Sequence, residues 1–179
     1  MLNMNLDMNI TDYVSVGFLG MIDVIDNLGG VQIDVKEEEI QHLNNYQASM
    51  FSTESQAKIT DDYVKVTQPG LQTLNGMQAT AYCRIRATAG DDFRRAERQR
   101  TVLMALLNAY KNLSMTEMLS LVDDILPMVT TNMSDREILS YVVTVFPLLA
   151  KAEINTLHIP AEGTYVDEWF LGTGDSLIP

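Results

Sequence analysis

The segment from residue 12 to residue 35 changes its hydrophobic period twice, and this constrains the fold more than any other feature. The first stretch, DYVSVGF at 12–18, alternates with the two-residue period of a β-strand. A helix is predicted next, because apolar residues recur every three or four positions until Gly29 and Gly30 supply a left-handed stop. The alternating VQIDV at 31–35 is predicted to be a second strand. Strands interleaved with helices favour an α/β fold.

The middle of the chain is harder to assign. Residues 36–66 open with a run of glutamates and show no sustained period, so we expect a flexible, solvent-exposed insertion with a short strand at 63–66. A short helix is predicted around residues 70–79. The alternating TAYCRIR at 80–86 is then predicted to be a strand.

Helical spacing dominates the second half of the chain. We predict helices at 92–113, 116–131 and 134–150. The last of them opens with a capping box formed by Ser134 and Glu137. Residues 153–160 are predicted to form a strand, and 161–179 to form turns with one further strand. The whole chain is therefore expected to be a single α/β domain, with helices flanking a mixed central β-sheet.

The charge of the chain is strongly uneven. The 179 residues include 12 Lys and Arg against 24 Asp and Glu, which gives a formal net charge of −12. Half of the basic residues nevertheless lie within residues 84–100. An acidic surface repels the phosphate backbone of nucleic acid, so no nucleic-acid partner is expected. The basic segment is too short to wrap a duplex, but it suits one or two phosphates.

Several other classes of site lack support in the sequence. The single cysteine, Cys83, excludes an internal disulfide and a multi-cysteine metal site, and the predicted strand places it in the core. His42 and His158 do not have the spacing of zinc ligands. Glycine-rich phosphate loops are also missing. The longest apolar stretch, at 141–150, is about half the ~20 residues that span a bilayer, so the chain as given is expected to be soluble.

The basic segment predicts an anion site. Arg84 and Arg86 share one face of the predicted strand, and Arg95 and Gln99 lie one turn apart on the helix that follows. Asp92 at the helix start can cap free N–H groups or hold an arginine. Guanidinium forks beside a helix N-terminus are suited to a phosphate or pyrophosphate. Positioning and electrostatics, rather than covalent catalysis, fit such a site.

The remaining arginines have a simpler interpretation. Arg94, Arg98 and Arg100 can form surface ion pairs with Asp91 and Glu97, and such pairs contribute little to stability. The two arginines on the predicted strand are different, because a central strand would require a buried anionic partner or ligand for them.

Two consecutive motifs resemble the hallmark of the LytR-CpsA-Psr family. GLQTLNGMQATAYCRIR at 70–86 is similar to the family's G-x-x-x-L-N-G-x-x-A-x-x-Y-x-R-x-R segment. DFRRAERQ at 92–99 is similar to its D-F-x-R-x-x-R-Q helix start. The strand–helix–strand at 13–35 and the closing residues 157–179 also resemble the family, so the resemblance covers nearly the whole chain. It implies the family's α/β sandwich.

The resemblance also implies a function. Members of the family are extracytoplasmic, are anchored by one N-terminal transmembrane helix, and transfer glycopolymers from polyprenyl pyrophosphate lipids to peptidoglycan, usually with a divalent metal such as Mg²⁺. The implied pyrophosphate contacts are Arg84, Arg86, Arg95 and Gln99. The implied role of Asp92 is catalytic or arginine-orienting. Arg98 belongs to the motif and is a possible additional site residue without an assigned role.

The resemblance has a gap at the N-terminus. The family's domain begins with a strand region that carries catalytic Asp and Arg residues, and nothing before Asp12 corresponds to it. We therefore expect the chain to be the C-terminal part of the domain, with little activity alone. An exposed sheet edge and a half-open apolar groove would favour self-association. The alternative function is a non-catalytic, lipid-sensing regulator, since the family has also been described as transcriptional attenuators.

Overall fold

The computed structural model describes residues 2–54, 64–86, 91–149, 151–156, 166–170 and 174–178, with the backbone alone at 51–54, 91–93, 146, 166–170 and 174–178. The helices are α1 (Leu2–Asn5), α2 (Phe18–Asn27), α3 (Glu37–Glu54), α4 (Gly76–Cys83), α5 (Asp91–Tyr110), α6 (Met115–Ile125) and α7 (Asp135–Leu149), with a 3-10 turn at Leu126–Met128. The strands are β1 (Val14–Val16), β2 (Val31–Val35), β3 (Gly70–Leu74), β4 (Val129–Thr131), β5 (Val166–Phe170) and β6 (Gly174–Ile178).

The α/β class is confirmed, but the strands are arranged differently from the prediction. Within the described residues they form three separate two-stranded antiparallel sheets, β1 with β4, β2 with β3 and β5 with β6, in place of one mixed central sheet. The helices carry most of the packing between these small sheets, and α4 lies against both α2 and α3. The cause of the difference is the short segment around residue 80, which is helical where a central strand was predicted.

The antiparallel pair of β2 and β3 supports the N-terminal half of the core. Its register runs from Val31 opposite Leu74 to Val35 opposite Gly70. Residues 31, 33 and 35 are buried and the two between them are exposed, which confirms the predicted strand at 31–35. The predicted helix at 70–79 is wrong for 70–74, because these residues pair with β2 instead. Gly70 has a φ of +106°, a conformation that favours glycine.

Helix α4 overturns the predicted strand at 80–86. Asn75 caps the helix by accepting a 2.8 Å hydrogen bond from the Gln78 backbone, and the Gln78 side chain accepts a 2.9 Å bond from the Asn75 backbone. All residues from Gly76 to Tyr82 are buried, so the helix has no polar face from which a helical period could be read. Arg84 is the C-cap of α4, and Ile85 and Arg86 follow outside any strand.

The packing of α4 against α2 depends on Gly76. A Cβ at Gly76 would collide with the backbone carbonyl of Ile22. The backbone N–H of Gly76 also donates a 2.6 Å hydrogen bond to Oδ1 of Asp26. We therefore expect Gly76→Ala to lower the free energy of unfolding by about 1–3 kcal/mol, the usual range for overpacking. Gly17→Ala is the control, since a Cβ at Gly17 meets nothing within 4 Å. Urea denaturation of both variants measures the difference, and equal losses would contradict the close approach.

Helix α3 replaces most of the predicted flexible insertion. Residues 37–54 form one helix whose buried face includes Leu43 and Met50. Glu39 and Gln47 are also buried, and these two polar residues hide the helical period in the sequence. Residues 64–66 form no strand, because both backbone groups of Val66 bond the Asn44 side chain at 2.8 and 3.0 Å. Residues 55–63 lie outside the described part.

The C-terminal half largely follows the predicted helices. The helix predicted at 116–131 ends at Ile125, and β4 follows the 3-10 turn. The capping box that opens α7 is confirmed, and the hydrogen bond from the Ser134 hydroxyl lowers the pKa of Glu137. Residues 153–156 form no strand, and the remainder of the strand predicted at 153–160 is not described. Two strands, β5 and β6, replace the single one expected after residue 160.

The main core lies between the antiparallel β2–β3 pair and helices α2 to α5. Its fully buried members include Ile25, Ile33, Leu43, Leu74 and Ile85. Among the helices that the structure describes, none is both long and apolar enough to cross a membrane.

Candidate anion-binding site

Four of the residues singled out in the sequence line one pocket. Arg84, Arg86, Arg95 and Gln99 surround a cavity of about 430 Å³ together with Phe18, Tyr46 and Cys83. The convergence arises by a different geometry from the one predicted, because the first two arginines follow the end of a helix instead of sharing a strand face. Their assignment as pyrophosphate contacts stays a prediction.

Two walls of the pocket carry the charged groups. One wall is the segment at the end of α4, where Arg84 is half-buried and Arg86 is exposed. The other is the first half of α5, where Arg95 and Gln99 lie one turn apart on the same face. The backbone of Asp92 belongs to the first turn of α5, but its side chain lies outside the described residues, as do residues 87–90.

Aromatic side chains hold one of the arginines. The guanidinium carbon of Arg84 lies 4.9 Å from the centre of the Phe18 ring and 5.8 Å from that of Tyr46. Both distances are within the range of cation–π attraction. Such contacts help to hold the guanidinium in place at the pocket. This contact could not be predicted from the sequence, since the rings come from positions far from residue 84.

The electrostatics of the pocket favour an anion. Three guanidinium groups line it, and no carboxylate is among its described lining residues. Arg84 also lies at the C-terminus of α4, where the helix dipole stabilises a cation. A positive pocket in a chain with a net charge of −12 concentrates multivalent anions locally.

Arg98 does not line this pocket, and the prediction of a surface pair for it is wrong. Its Nε donates a 2.7 Å hydrogen bond to Glu39 Oε1, and the two side chains are only 4% and 3% exposed. Its Nη1 donates a second bond, of 3.1 Å, to the carbonyl of Ile85. The sequence did not indicate this pair, because Glu39 lies within a run of glutamates and such a run predicts a solvent-exposed surface.

Arg94 and Arg100 lie outside the pocket as well. Both are half-buried and line two other clefts, Arg94 beside Lys36 and Glu97, and Arg100 beside Gln32. The arginines of residues 84–100 therefore occupy three kinds of place. Three line the anion pocket, one is buried in an ion pair, and two lie at neighbouring clefts.

Cys83 is expected to be an unreactive thiol although it lines the pocket. Burial raises the pKa of Cys83 to about 12. At pH 8 its thiolate fraction, and hence its alkylation rate, should be about a thousandfold below that of a free cysteine of pKa 9. Iodoacetamide labelling of the folded chain, followed by mass spectrometry, measures this rate. The same chain in urea is the control, and equal rates would contradict the burial.

A metal site is not supported by the described part of the chain. Those residues contain no cluster of three or more His, Cys, Asp or Glu that could hold a metal ion. Asp92, the carboxylate that the sequence analysis assigned to this site, has no described side chain. The divalent metal that the sequence resemblance implies therefore stays a prediction, and no step of the chemistry is derived from it.

An apolar groove lies farther along α5. It has a volume of about 340 Å³ and is lined almost entirely by apolar side chains of α5, α6 and α7, which include Leu107, Leu121 and Val145. Gln99 of the anion pocket and Leu107 of the groove are on the same helix, eight residues and therefore roughly 12 Å apart along its axis. One helix thus carries a polar site and an apolar site in series.

Comparisons with known proteins agree on one family. A model of the LytR_cpsA_psr family matches residues 1–176. The polyisoprenyl-teichoic acid–peptidoglycan teichoic acid transferase TagT of Bacillus subtilis is 28% identical over 144 residues, which are 80% of this chain and 39% of TagT. Biofilm regulatory protein A of Streptococcus mutans is 29% identical over 168 residues, 90% of this chain and 37% of that protein.

The fold is likewise similar to solved structures. The crystal structure of B. subtilis TagV superposes with a TM-score of 0.66 and 26% identity, over 98% of this chain and 59% of TagV. The chain thus spans less than two thirds of the length of each of these relatives.

Proposed function

The chain belongs to the LytR_cpsA_psr family, and on that premise we propose that it binds the pyrophosphate of a polyprenyl-linked glycopolymer and serves the transfer of that glycopolymer to peptidoglycan. TagT, as its name states, is a polyisoprenyl-teichoic acid–peptidoglycan teichoic acid transferase. A glycopolymer transferase role for this chain follows that relationship. The finer assignment, pyrophosphate binding by the arginine pocket, rests on the geometry of the site.

The observation that carries the proposal is the convergence of Arg84, Arg86, Arg95 and Gln99 on one pocket. A pyrophosphate presents two groups of oxygens, each of which can accept paired N–H donors from a planar guanidinium. Lysines would supply charge without this fork. Three arginines with a neighbouring amide can therefore contact both phosphates at once.

The same groups suit the chemistry of transfer. When the oxygen of an acceptor hydroxyl bonds to the glycopolymer phosphorus, the bond from that phosphorus to the bridging oxygen breaks and the hydroxyl proton passes to solvent. Negative charge then grows on the departing lipid phosphate. Guanidinium groups fixed beside that oxygen stabilise the charge without rearranging during the reaction. We assign this role to Arg84, whose guanidinium carbon lies 4.9 Å from the centre of the Phe18 ring.

The apolar groove is proposed to receive part of the prenyl chain. Its lining is almost entirely apolar, and it shares helix α5 with the pocket. An apolar chain gains free energy from such burial in proportion to the area removed from water. The proposed ligand thus has a charged head and an apolar tail that correspond to the two sites.

The setting of this reaction is part of the proposal. We place it at the extracytoplasmic face of the cell membrane, with peptidoglycan as the acceptor and Mg²⁺ as the accompanying metal, on the basis of the family alone. Attachment to the membrane, self-association and the metal are expectations that no feature of the described residues tests.

Calorimetric titration of the chain tests the function. We expect geranyl pyrophosphate to bind, and geranyl monophosphate to bind about 10- to 100-fold more weakly, because one phosphate's charge-assisted hydrogen bonds are lost. Inorganic pyrophosphate should also bind, but at least about tenfold more weakly than geranyl pyrophosphate, since it lacks the apolar tail. Equal affinities for the monophosphate and the pyrophosphate would contradict the assignment of the pocket.

A regulatory function is the second candidate, favoured by the similarity to Biofilm regulatory protein A over 90% of this chain. In that case the same pocket senses the lipid without transferring its glycopolymer. An Arg84→Ala allele in the producing cell separates the two. Transfer predicts less glycopolymer on purified peptidoglycan, whereas sensing predicts unchanged attachment with altered transcript levels.

A further inference from the structure

We propose that the buried Glu39–Arg98 ion pair positions the arginines of the anion pocket, which makes Arg98 a positioning residue that never touches the ligand. The inference rests on the proposed function, because it concerns the affinity of the same pocket for pyrophosphate. Arg98 is absent from the described lining of the pocket, and its Nε and Nη1 donate hydrogen bonds to Glu39 and to the backbone between the pocket arginines.

The decisive contact is with the backbone of Ile85. Arg98 Nη1 donates a 3.1 Å hydrogen bond to the carbonyl of this residue, which lies directly between Arg84 and Arg86. The side chain of Ile85 is fully buried in the main core. With its side chain held by the core and its carbonyl by Arg98, the backbone that carries both pocket arginines is fixed in place. The N–H groups of Arg84 and Ile85 bond the carbonyls of Ala81 and Tyr82 and tie this segment to the end of α4, whereas the bond from Arg98 ties it to α5.

Arg98 also fixes the second wall of the pocket, which is formed by α5. Arg98 is adjacent to Gln99 on α5 and lies three residues, about one turn, after Arg95. It therefore ties the helix that presents Arg95 and Gln99 to the segment that presents the other two arginines. The distance between the walls, and hence the fit of a pyrophosphate between them, depends on this bond.

Glu39 orients the guanidinium of Arg98. Its Oε1 accepts the 2.7 Å bond from Arg98 Nε, while its Oε2 accepts a 3.0 Å bond from the backbone N–H of Lys36 at the start of α3. Because both side chains are almost completely buried, these bonds act in a low dielectric, where their directionality is strong. A continuous set of hydrogen bonds thus joins α3, α5 and the segment after α4.

Stability alone does not account for a pair of this kind. Well-packed apolar side chains of similar volume often replace a buried ion pair without loss of stability. Such side chains could fill the same space, but they could not hold the Ile85 carbonyl. A lysine could keep the charge next to Glu39, but it lacks the planar fork that reaches two acceptors in different directions.

Two variants separate positioning from stability. Arg98→Lys keeps the charge pair, and Glu39→Leu with Arg98→Met replaces it by apolar side chains. We expect both to fold, with circular dichroism spectra and thermal midpoints close to those of the unaltered chain. Both should bind geranyl pyrophosphate about tenfold more weakly in calorimetric titrations, a coupling of the size usual for residues in one network. Arg100→Lys, on the same helix but outside the pocket, is the matched control and should bind normally.

A double-mutant cycle supplies the readout that a purely structural role would not move. In an Arg86→Ala background, Arg98→Lys should weaken binding by only about three- to fivefold, because one of the four groups that it positions is already gone and the other three remain. An undiminished tenfold effect in that background would overturn the proposal. So would folded variants that bind as tightly as the unaltered chain, or the failure of both variants to fold. If the unaltered chain binds no geranyl pyrophosphate, the proposed function fails first and the positioning role with it.

Discussion

Replacing Arg84 with alanine is expected to weaken geranyl pyrophosphate binding by about 2–5 kcal/mol, the cost usual for truncating one partner of a desolvated charge pair. Arg84 is held by two aromatic rings, since its guanidinium carbon lies 4.9 Å from the centre of the Phe18 ring and 5.8 Å from that of the Tyr46 ring. Its loss removes one planar guanidinium with its paired N–H donors, and with it one of the three arginine charges that line the pocket. Calorimetric titration of the variant measures the effect directly.

The lysine variant makes the same prediction more specific. Arg84→Lys keeps the charge but loses the planar fork and the stacking surface, so its affinity should fall between those of the unaltered chain and of the alanine variant. Arg136→Ala, an exposed arginine on α7, removes the same charge from the chain at a distance from the pocket and should leave the affinity unchanged. A folded Arg84→Ala variant with the affinity of the unaltered chain would exclude this pocket as the ligand site.

The largest expected effect on stability comes from Arg98. Arg98→Ala leaves the carboxylate of Glu39, which is 3% exposed, buried without its 2.7 Å partner. Removing one member of a buried pair typically costs about 3–5 kcal/mol. A domain of this size is stable by only about 5–15 kcal/mol, so a large part of its stability should be lost. Urea denaturation monitored by circular dichroism gives the difference in the free energy of unfolding.

Two controls test whether that cost comes from the uncompensated charge. Glu39→Leu combined with Arg98→Met removes both charges together, and it should regain most of the stability that Arg98→Ala loses. Arg136→Ala should change the free energy of unfolding by no more than about 0.5 kcal/mol, as is usual for surface positions. An Arg98→Ala variant as stable as the Arg136→Ala variant would show that the pair contributes nothing.

The sequence predicted the site better than it predicted the elements that form it. The arginine motif, and with it the family, could be identified because four motif residues retain their spacing irrespective of local structure. The strand assigned to 80–86 was wrong because α4 is buried on all sides and shows no amphipathic period. The capping box of Asn75 and Gln78 was the available signal for a helix, and it outweighs a short alternation of side chains.

Contacts between distant segments could not be predicted from the sequence. The stacking of Arg84 on Phe18 and the pairing of Arg98 with Glu39 join positions that are more than fifty residues apart. Helix α3 was interpreted as an insertion because its buried face includes Glu39 and Gln47, which hydrophobic periodicity does not detect. In each case a polar or charged group is buried by a tertiary partner, and the partner is visible only in the fold.

The most direct measurement is a crystal structure of the chain with geranyl pyrophosphate. We expect the two phosphates to lie in the pocket, with oxygens about 2.7–2.9 Å from guanidinium nitrogens of Arg84, Arg86 and Arg95, the distances usual for charge-assisted hydrogen bonds. The amide of Gln99 should donate to the same group. Electron density for the pyrophosphate at any other place, with this pocket filled only by solvent, would contradict the account.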